Sequence, residues 1–133
     1  MRYDHIVVPA DGEVISINRD TSITVPRQPI IPYITGDGIG VDVTPVMQNV
    51  LDAAVEQAYG TERGIAWMEV FAGGRGVERY GEAQYLPDET MDALERFVVS
   101  IKGPLATPIG GGIRSLNVAI RQRMDLYACV RPI

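Results

Sequence analysis

Four short apolar runs alternate with helix-periodic or polar segments, and this alternation constrains the fold more than any other feature of the sequence. Segments in which strands and helices alternate are typical of a parallel α/β sheet with crossover helices. We therefore predict an α/β architecture, with four strands at PIIPYIT (29–35), IAWMEVF (65–71), VVSIKGP (98–104) and DLYACVRP (125–132).

The segment after the first predicted strand has the period of a helix. Apolar residues recur at steps of three and four from Val43 to Ala58, beyond the tight turn GDGIG at residues 36–40. We expect Asp42 or Thr44 to cap this helix, with Pro45 in its first turn.

A second helix is predicted at LPDETMDALERF, residues 86–97, because acidic residues lie in its first turn and apolar residues follow on one face. The preceding segment GGRGVERYGEAQY, residues 73–85, is rich in glycine and polar residues. We predict that it is an irregular connection.

The first 28 residues differ in texture from the rest. EVISIN and ITVP flank the turn-prone NRDTS, which predicts a β-hairpin or a loosely attached arm. We divide the chain into a β-rich N-terminal arm (1–28) and a partial α/β large domain (29–133). Since the last apolar run is followed only by Ile133, we expect an incomplete sheet that continues in a longer protein or needs a partner.

Composition excludes several classes of protein. The net charge of -5 argues against general nucleic-acid binding, and no run of about 18 apolar residues predicts a membrane span. The N-terminus lacks the features of a secretory signal, so we expect a cytoplasmic protein. The single cysteine, Cys129, lies in an apolar run and is interpreted as a buried, inert thiol.

The glycine motifs do not match the common nucleotide-binding patterns. Gly36, Gly38 and Gly40 give G-x-G-x-G, whereas the dinucleotide fingerprint requires G-x-G-x-x-G. GGRG at residues 73–76 lacks the lysine and hydroxyl of a P-loop. Asp37 in the first motif could bind a cation, but acids beside glycines are more typical of turns and caps.

The stretch GGGIRSLNVAIRQ, residues 110–122, is the strongest candidate site. On a helix that starts near Arg114, the side chains of Arg114, Asn117 and Arg121 form one stripe. Guanidinium groups match carboxylates in a bidentate way, which favours a small polycarboxylate as ligand. A solvated helix face with Ser115 as N-cap is the alternative, and Lys102 is either an anion contact or a solvated strand end.

Three long runs resemble bacterial NADP-dependent isocitrate dehydrogenases, in the isocitrate/isopropylmalate dehydrogenase family: PIIPYITGDGIGVDVTP, IAWMEVFAG and SIKGPLATPIGGGIRSLNVAIRQRMDLYACVRP. The resemblance covers nearly the whole chain, as an N-terminal portion. It implies a two-domain, non-Rossmann α/β fold, a homodimer, and oxidative decarboxylation of isocitrate to 2-oxoglutarate in the tricarboxylic acid cycle. NADP and Mg²⁺ or Mn²⁺ are the implied cofactors.

The resemblance also implies roles for individual residues. The implied substrate-binding set is Ser115, Asn117, Arg121 and Arg131, and the implied cofactor-binding set is Lys102, Leu105, Ala106 and Thr107. Ala106 stands where threonine is common in the family. Ser115 matches a serine that a dedicated kinase/phosphatase modifies in some bacteria.

The family's catalytic and metal-binding residues match no position of this chain. The resemblance places its catalytic tyrosine and lysine and its metal-binding aspartates beyond Ile133, so we expect the chain alone to be inactive. Two alternatives stay open. One is a noncatalytic binding or regulatory module derived from the N-terminal region, and the other is an isopropylmalate-type dehydrogenase.

Overall fold

The structure, a computed structural model, describes residues 2–81, 84–106 and 115–132, and it begins with a short antiparallel hairpin. Strands β1 (Ser16–Ile17) and β2 (Ile23–Thr24) pair in this hairpin. The Asn18 N–H donates to the Ser22 carbonyl across the turn at 2.8 Å. The predicted hairpin in the first 28 residues is therefore confirmed.

A three-stranded parallel sheet follows the hairpin. Strand β3 (Ile30–Ile34) lies between β4 (Ala66–Glu69) and β5 (Ile101–Lys102). Most of β3 is buried on both faces, as expected for the central strand of a parallel sheet. The first three predicted strands are confirmed, although β5 is only two residues long, and the fold is mixed α/β with small, incomplete sheets.

Four α-helices connect and follow the strands of the parallel sheet. Helix α1 (Gly40–Tyr59) follows β3 and runs into a 3₁₀ turn at Gly60–Glu62. Along the chain, α2 (Gly74–Tyr80) and α3 (Asp88–Arg96) come between β4 and β5, and α4 (Leu116–Arg123) comes after β5. The predicted helix with acids in its first turn is confirmed as α3.

The core lies between the sheet and helices α3 and α4. Residues of β3 and β4 pack with the apolar side of α3 and with Ile120 of α4. Ile6 of the N-terminal arm also belongs to this cluster, so the arm is packed against the sheet. The buried members are Ile6, Ile30, Ile34, Ala66, Met68, Val70, Ala72, Met91, Ala93, Leu94, Phe97 and Ile120.

The predicted start of α1 is wrong. The helix begins at Gly40, with Ile39 at its N-cap position and no side-chain cap, instead of at Asp42 or Thr44. The buried Thr44 hydroxyl donates to the Thr35 carbonyl at 3.0 Å, so it ties the helix to the end of β3. Pro45 lies inside the helix, beyond its first turn.

The predicted irregular connection at residues 73–85 is also wrong, because it contains α2. Gly76 is buried, and a Cβ at this position would lie 2.6 Å from the Gln84 carbonyl oxygen. Close packing, rather than a flexible loop, therefore explains this glycine.

Residues 125–132 do not form the predicted fourth strand. Within the described part of the chain, this segment pairs with no strand, and its side chains are exposed. Cys129 is consequently exposed, so its interpretation as a buried thiol is wrong. An apolar run forms a strand only where a neighbouring strand satisfies its backbone groups, and none lies beside this one.

The outer side of α1 is apolar and uncovered. Its buried residues are Gly40 and Thr44, whereas Val46 and Val50 are each 61% exposed. Of the apolar stripe that predicts the helix, Met47, Leu51 and Val55 are half-buried, whereas Val43 and Val50 are exposed.

No helix within residues 2–81, 84–106 and 115–132 has the length and apolar character needed to cross a membrane.

A close backbone contact joins the ends of β3 and β5. Gly36 has φ +88°, and a Cβ there would lie 2.2 Å from the Pro104 carbonyl oxygen. A Cβ on Gly103 would lie 2.1 Å from the Thr35 carbonyl oxygen. Only glycine allows the two chain segments to approach this closely.

We expect Gly36→Ala to lower the free energy of unfolding by about 3 kcal/mol or more, because overpacking adds to the strain of a positive φ. Gly38→Ala is the matched control in the same turn. Gly38 has φ +55° but no atom within 4 Å of an added Cβ, so its cost should be about 1 kcal/mol. Urea denaturation measures the free energy of unfolding of both variants, and equal decreases would contradict the close contact at Gly36.

Candidate anion-binding site

A cavity of about 400 Å³ lies beside the end of β5 and one side of α4. Three of the residues that the sequence singled out line it together, namely Lys102, Asn117 and Arg121. Apolar side chains complete much of its wall, whereas Lys102 and Arg121 are themselves exposed to solvent. The remaining lining residues are Val98, Val99, Ser100, Ile120, Met124 and Leu126.

The amphipathic character of α4 orients two of its polar residues, Asn117 and Arg121, toward this cavity. Leu116 and Ile120 are buried. Asn117 and Arg121 follow each of these by one position and are four residues apart, so they lie on one side of the helix. Lys102 is the last residue of β5, and it lines the same cavity.

The two cations in the cavity repel each other. The pKa of Lys102 is lowered, first by desolvation of its ammonium group and second by the positive charge of Arg121. The Lys102 Nζ donates to the Gly103 carbonyl at 2.7 Å, which supplies no compensating negative charge. Among the described residues, neither Lys102 nor Arg121 forms an ion pair. An anion that entered the cavity would relieve this repulsion.

Ser115 occupies the N-cap position of α4, but its side chain makes no capping hydrogen bond. Its carbonyl accepts from the Val118 and Ala119 N–H groups, each at 2.9 Å. Ser115 does not line the cavity, although it is only two residues from Asn117. Its hydroxyl is therefore not used to stabilise the helix end.

Arg131 lies away from this cavity, in the exposed segment 125–132. The structure thus brings three of the implied site residues together and leaves Arg131 apart from them. The helix period links Arg121 to Asn117, whereas Arg131 lies outside α4 and was added to the set by the resemblance alone.

The candidate cofactor residues lie on the loop that follows β5. Leu105 is half-buried and packs against the core. The Ala106 N–H donates to the Asp37 Oδ2 at 2.8 Å. The backbone of Ala106 can therefore offer a ligand only its carbonyl oxygen, as an acceptor. Thr107 and Arg114 lie outside the described residues.

Asp37 is the residue that sequence reasoning missed. It was interpreted as a turn residue or a weak cation ligand, but its carboxylate accepts hydrogen bonds from two distant segments. The hydrogen bonds from Gly74 and Ala106, both far along the chain, could not be predicted from spacing. No group of three or more His, Cys, Asp or Glu residues within the described ranges could hold a metal ion.

Comparison with known proteins gives consistent matches. The family model described as isocitrate/isopropylmalate dehydrogenase matches residues 30–133. A Pseudomonas aeruginosa (strain UCBPP-PA14) protein named isocitrate dehydrogenase (NADP) is 61% identical over 100% of this chain and 32% of its own length. A Coxiella burnetii protein of the same name is 56% identical over 98% of this chain and 30% of its own length. The chain therefore spans about a third of these curated relatives.

Lys102 is the only lysine in the 133 residues, so ¹³C-lysine labelling gives one side-chain signal to follow. We expect Arg121→Gln to raise the pKa of Lys102 toward its usual value, because a neighbouring positive charge is removed. The pKa should stay somewhat low, since desolvation is the larger cause. An NMR pH titration measures it.

Arg123→Gln is the matched control for this titration. Arg123 pairs with Asp88 at 2.6 Å and does not line the cavity, so its loss should leave the Lys102 signal unchanged. If both substitutions move the pKa equally, or neither does, the proximity of Lys102 and Arg121 is wrong.

Proposed function

This chain belongs to the isocitrate/isopropylmalate dehydrogenase family, and on that premise we propose that the complete protein is an NADP-dependent isocitrate dehydrogenase. It oxidises isocitrate and releases carbon dioxide to form 2-oxoglutarate, and it passes a hydride to NADP. The chain supplies part of the substrate and cofactor pocket of that enzyme.

The observation that carries this proposal is the cavity shared by Lys102, Asn117 and Arg121. Its volume of about 400 Å³ falls in the range of roughly 300–1,000 Å³ that small-molecule sites occupy. Two unpaired cations in a partly apolar cavity favour a ligand with several negative charges. Isocitrate has three carboxylates and fits that requirement.

Each residue has a distinct role in substrate binding. Arg121 clamps a carboxylate with its fork of N–H donors, while Lys102 adds a point charge nearby. The Asn117 amide donates a hydrogen bond that orients the bound acid. Ser115 and Arg131 complete the substrate set in this proposal, and support for them comes from the resemblance alone.

NADP, when bound, accepts the hydride that leaves the hydroxyl-bearing carbon of the substrate. We assign its nicotinamide side to Leu105, Ala106 and Thr107, with Lys102 beside them. These residues hold and orient the ring. Since the Ala106 N–H is already donated to Asp37, this assignment relies on carbonyl groups and on apolar contact at Leu105.

The described residues do not fit a divalent metal, since no cluster of His, Cys, Asp or Glu is present among them. We propose that the residues that bind Mg²⁺ or Mn²⁺ lie in other parts of the complete protein. We also propose that the complete protein is a homodimer with a non-Rossmann fold, in which residues 1–28 form an N-terminal arm and residues 29–133 form part of a large domain. We propose in addition that it is cytoplasmic and acts in the tricarboxylic acid cycle.

A noncatalytic binding module is the second candidate function. It is favoured by one observation, namely that Lys102, Asn117 and Arg121 already line a cavity within the described residues. Such a module would bind a tricarboxylate without oxidising it.

An assay of the complete gene product tests the proposed reaction. We expect NADPH formation with isocitrate, NADP and Mg²⁺, and little or none with isopropylmalate. Oxidation of isopropylmalate instead would assign the other branch of the family. Isocitrate binding without NADPH formation would establish the module.

We further propose that Ser115 is a phosphorylation site for a regulatory kinase/phosphatase. Its hydroxyl is not committed to capping α4, and it precedes Asn117 by two residues. A phosphate would add about -1.5 to -2 charge beside the place where a carboxylate docks. Binding would be blocked by repulsion without a conformational change.

Ser115→Asp imitates part of that charge. We expect it to raise the KM for isocitrate on the order of 100-fold or more, because like charges placed together cost several kcal/mol. Ser16→Asp, in the exposed strand β1, is the matched control and should leave KM unchanged. Steady-state kinetics of the complete protein decide this, and unchanged KM and kcat for Ser115→Asp would remove Ser115 from the site.

A further inference from the structure

Asp37 joins three segments that are far apart in sequence. It lies in the turn between β3 and α1, and it contacts both the start of α2 and the loop at residues 103–106, which we name the cofactor loop. We propose that Asp37 is a positioning residue that holds the cofactor loop in the conformation needed to receive the nicotinamide end of NADP. This inference rests on the proposed function, since that function assigns Leu105 and Ala106 to the cofactor.

Three hydrogen bonds fix this arrangement. The Asp37 Oδ2 accepts from the Ala106 N–H at 2.8 Å, and the Asp37 N–H donates to the Pro104 carbonyl at 2.6 Å. The Asp37 Oδ1 accepts from the Gly74 N–H at 2.8 Å. Two contacts on one loop set both its position and its orientation, while the third anchors the carboxylate to α2.

The neighbouring glycines leave room for this carboxylate and for nothing larger. Gly73 has φ +67°, and a Cβ there would lie 2.4 Å from an Asp37 carboxylate oxygen. Gly36 and Gly103 let the two loop backbones approach within the distance that the Asp37–Pro104 bond requires. The Asp37 side chain therefore explains Gly73, and the close approach of the two backbones explains Gly36 and Gly103.

A carboxylate group suits this contact because it has two acceptor oxygens. Each oxygen accepts from a different backbone N–H, and hydrogen bonds to a charged acceptor are about twice as strong as neutral ones. An asparagine keeps the shape but has one acceptor oxygen, so its NH₂ group would face one of the two N–H donors. Asp37→Asn therefore removes one of the two hydrogen bonds with little change in side-chain volume.

Two readouts on the complete gene product test the proposal. In Asp37→Asn, we expect hydrogen exchange at residues 103–106 or at 74–77 to become about 10-fold faster, as expected when a hydrogen bond to a charged group is weakened. We expect the KM for NADP to rise about 10-fold, while the KM for isocitrate stays within about 2-fold. A general loss of stability would move all of these together.

Asp42→Asn is the matched control. It removes the same charge five residues away, where the side chain is exposed in the first turn of α1 and makes no recorded contact with the cofactor loop. If Asp37→Asn does not fold, Asp37→Ser, which also keeps a single acceptor oxygen, is judged by the same two readouts.

The outcomes separate the positioning role from the proposed function. The role of Asp37 would be overturned by unchanged hydrogen exchange at both segments, by an exchange rate that rises evenly over the whole chain, or by an equal effect of Asp42→Asn. Faster local exchange with an unchanged KM for NADP would overturn the link between the loop and the cofactor. Failure of the unmodified protein to reduce NADP would reject the proposed function, and exchange would still decide whether Asp37 holds the loop.

Discussion

The chemistry of this chain depends on two positive charges that line one cavity. Lys102 and Arg121 face the same space, and no carboxylate among the described residues neutralises them. The positive charge of Arg121 is the second cause that lowers the pKa of Lys102. A bound polyanion would offset this repulsion, which would contribute to its affinity.

The geometry of the cavity depends in turn on backbone contacts that glycine makes possible. The end of β3 approaches the segment after β5 so closely that neither Gly36 nor Gly103 could carry a side chain. Lys102 immediately precedes that contact, and the cofactor loop follows it. A substitution at these glycines would therefore move both halves of the candidate site, although neither glycine lines the cavity.

The sequence predicted the elements whose signal is local. The apolar runs of β3 and β4 and the acidic first turn of α3 are of this kind, and the structure has each of them. Helix α2 was missed because Gly73, Gly74 and Gly76 suggest a loop when only their neighbours in sequence are considered. Gly76 is in fact required by the approach of the Gln84 carbonyl, which is a tertiary contact.

The candidate site shows the same division. The period of α4 was sufficient to place Asn117 and Arg121 on one side of a helix, because Leu116 and Ile120 define its buried side. The role of Asp37 was not predictable, since its partners Gly74 and Ala106 are distant in sequence. The fourth strand is predicted from an apolar run alone, and residues 125–132 pair with no strand in the part of the chain that the structure describes.

The most direct measurement is the structure of the complete protein with isocitrate bound. The account predicts a substrate carboxylate at about 2.7–2.9 Å from the Lys102 Nζ or from the Arg121 guanidinium, within the cavity beside α4. Isocitrate bound elsewhere, with both cations turned toward solvent or paired with protein carboxylates, would contradict it.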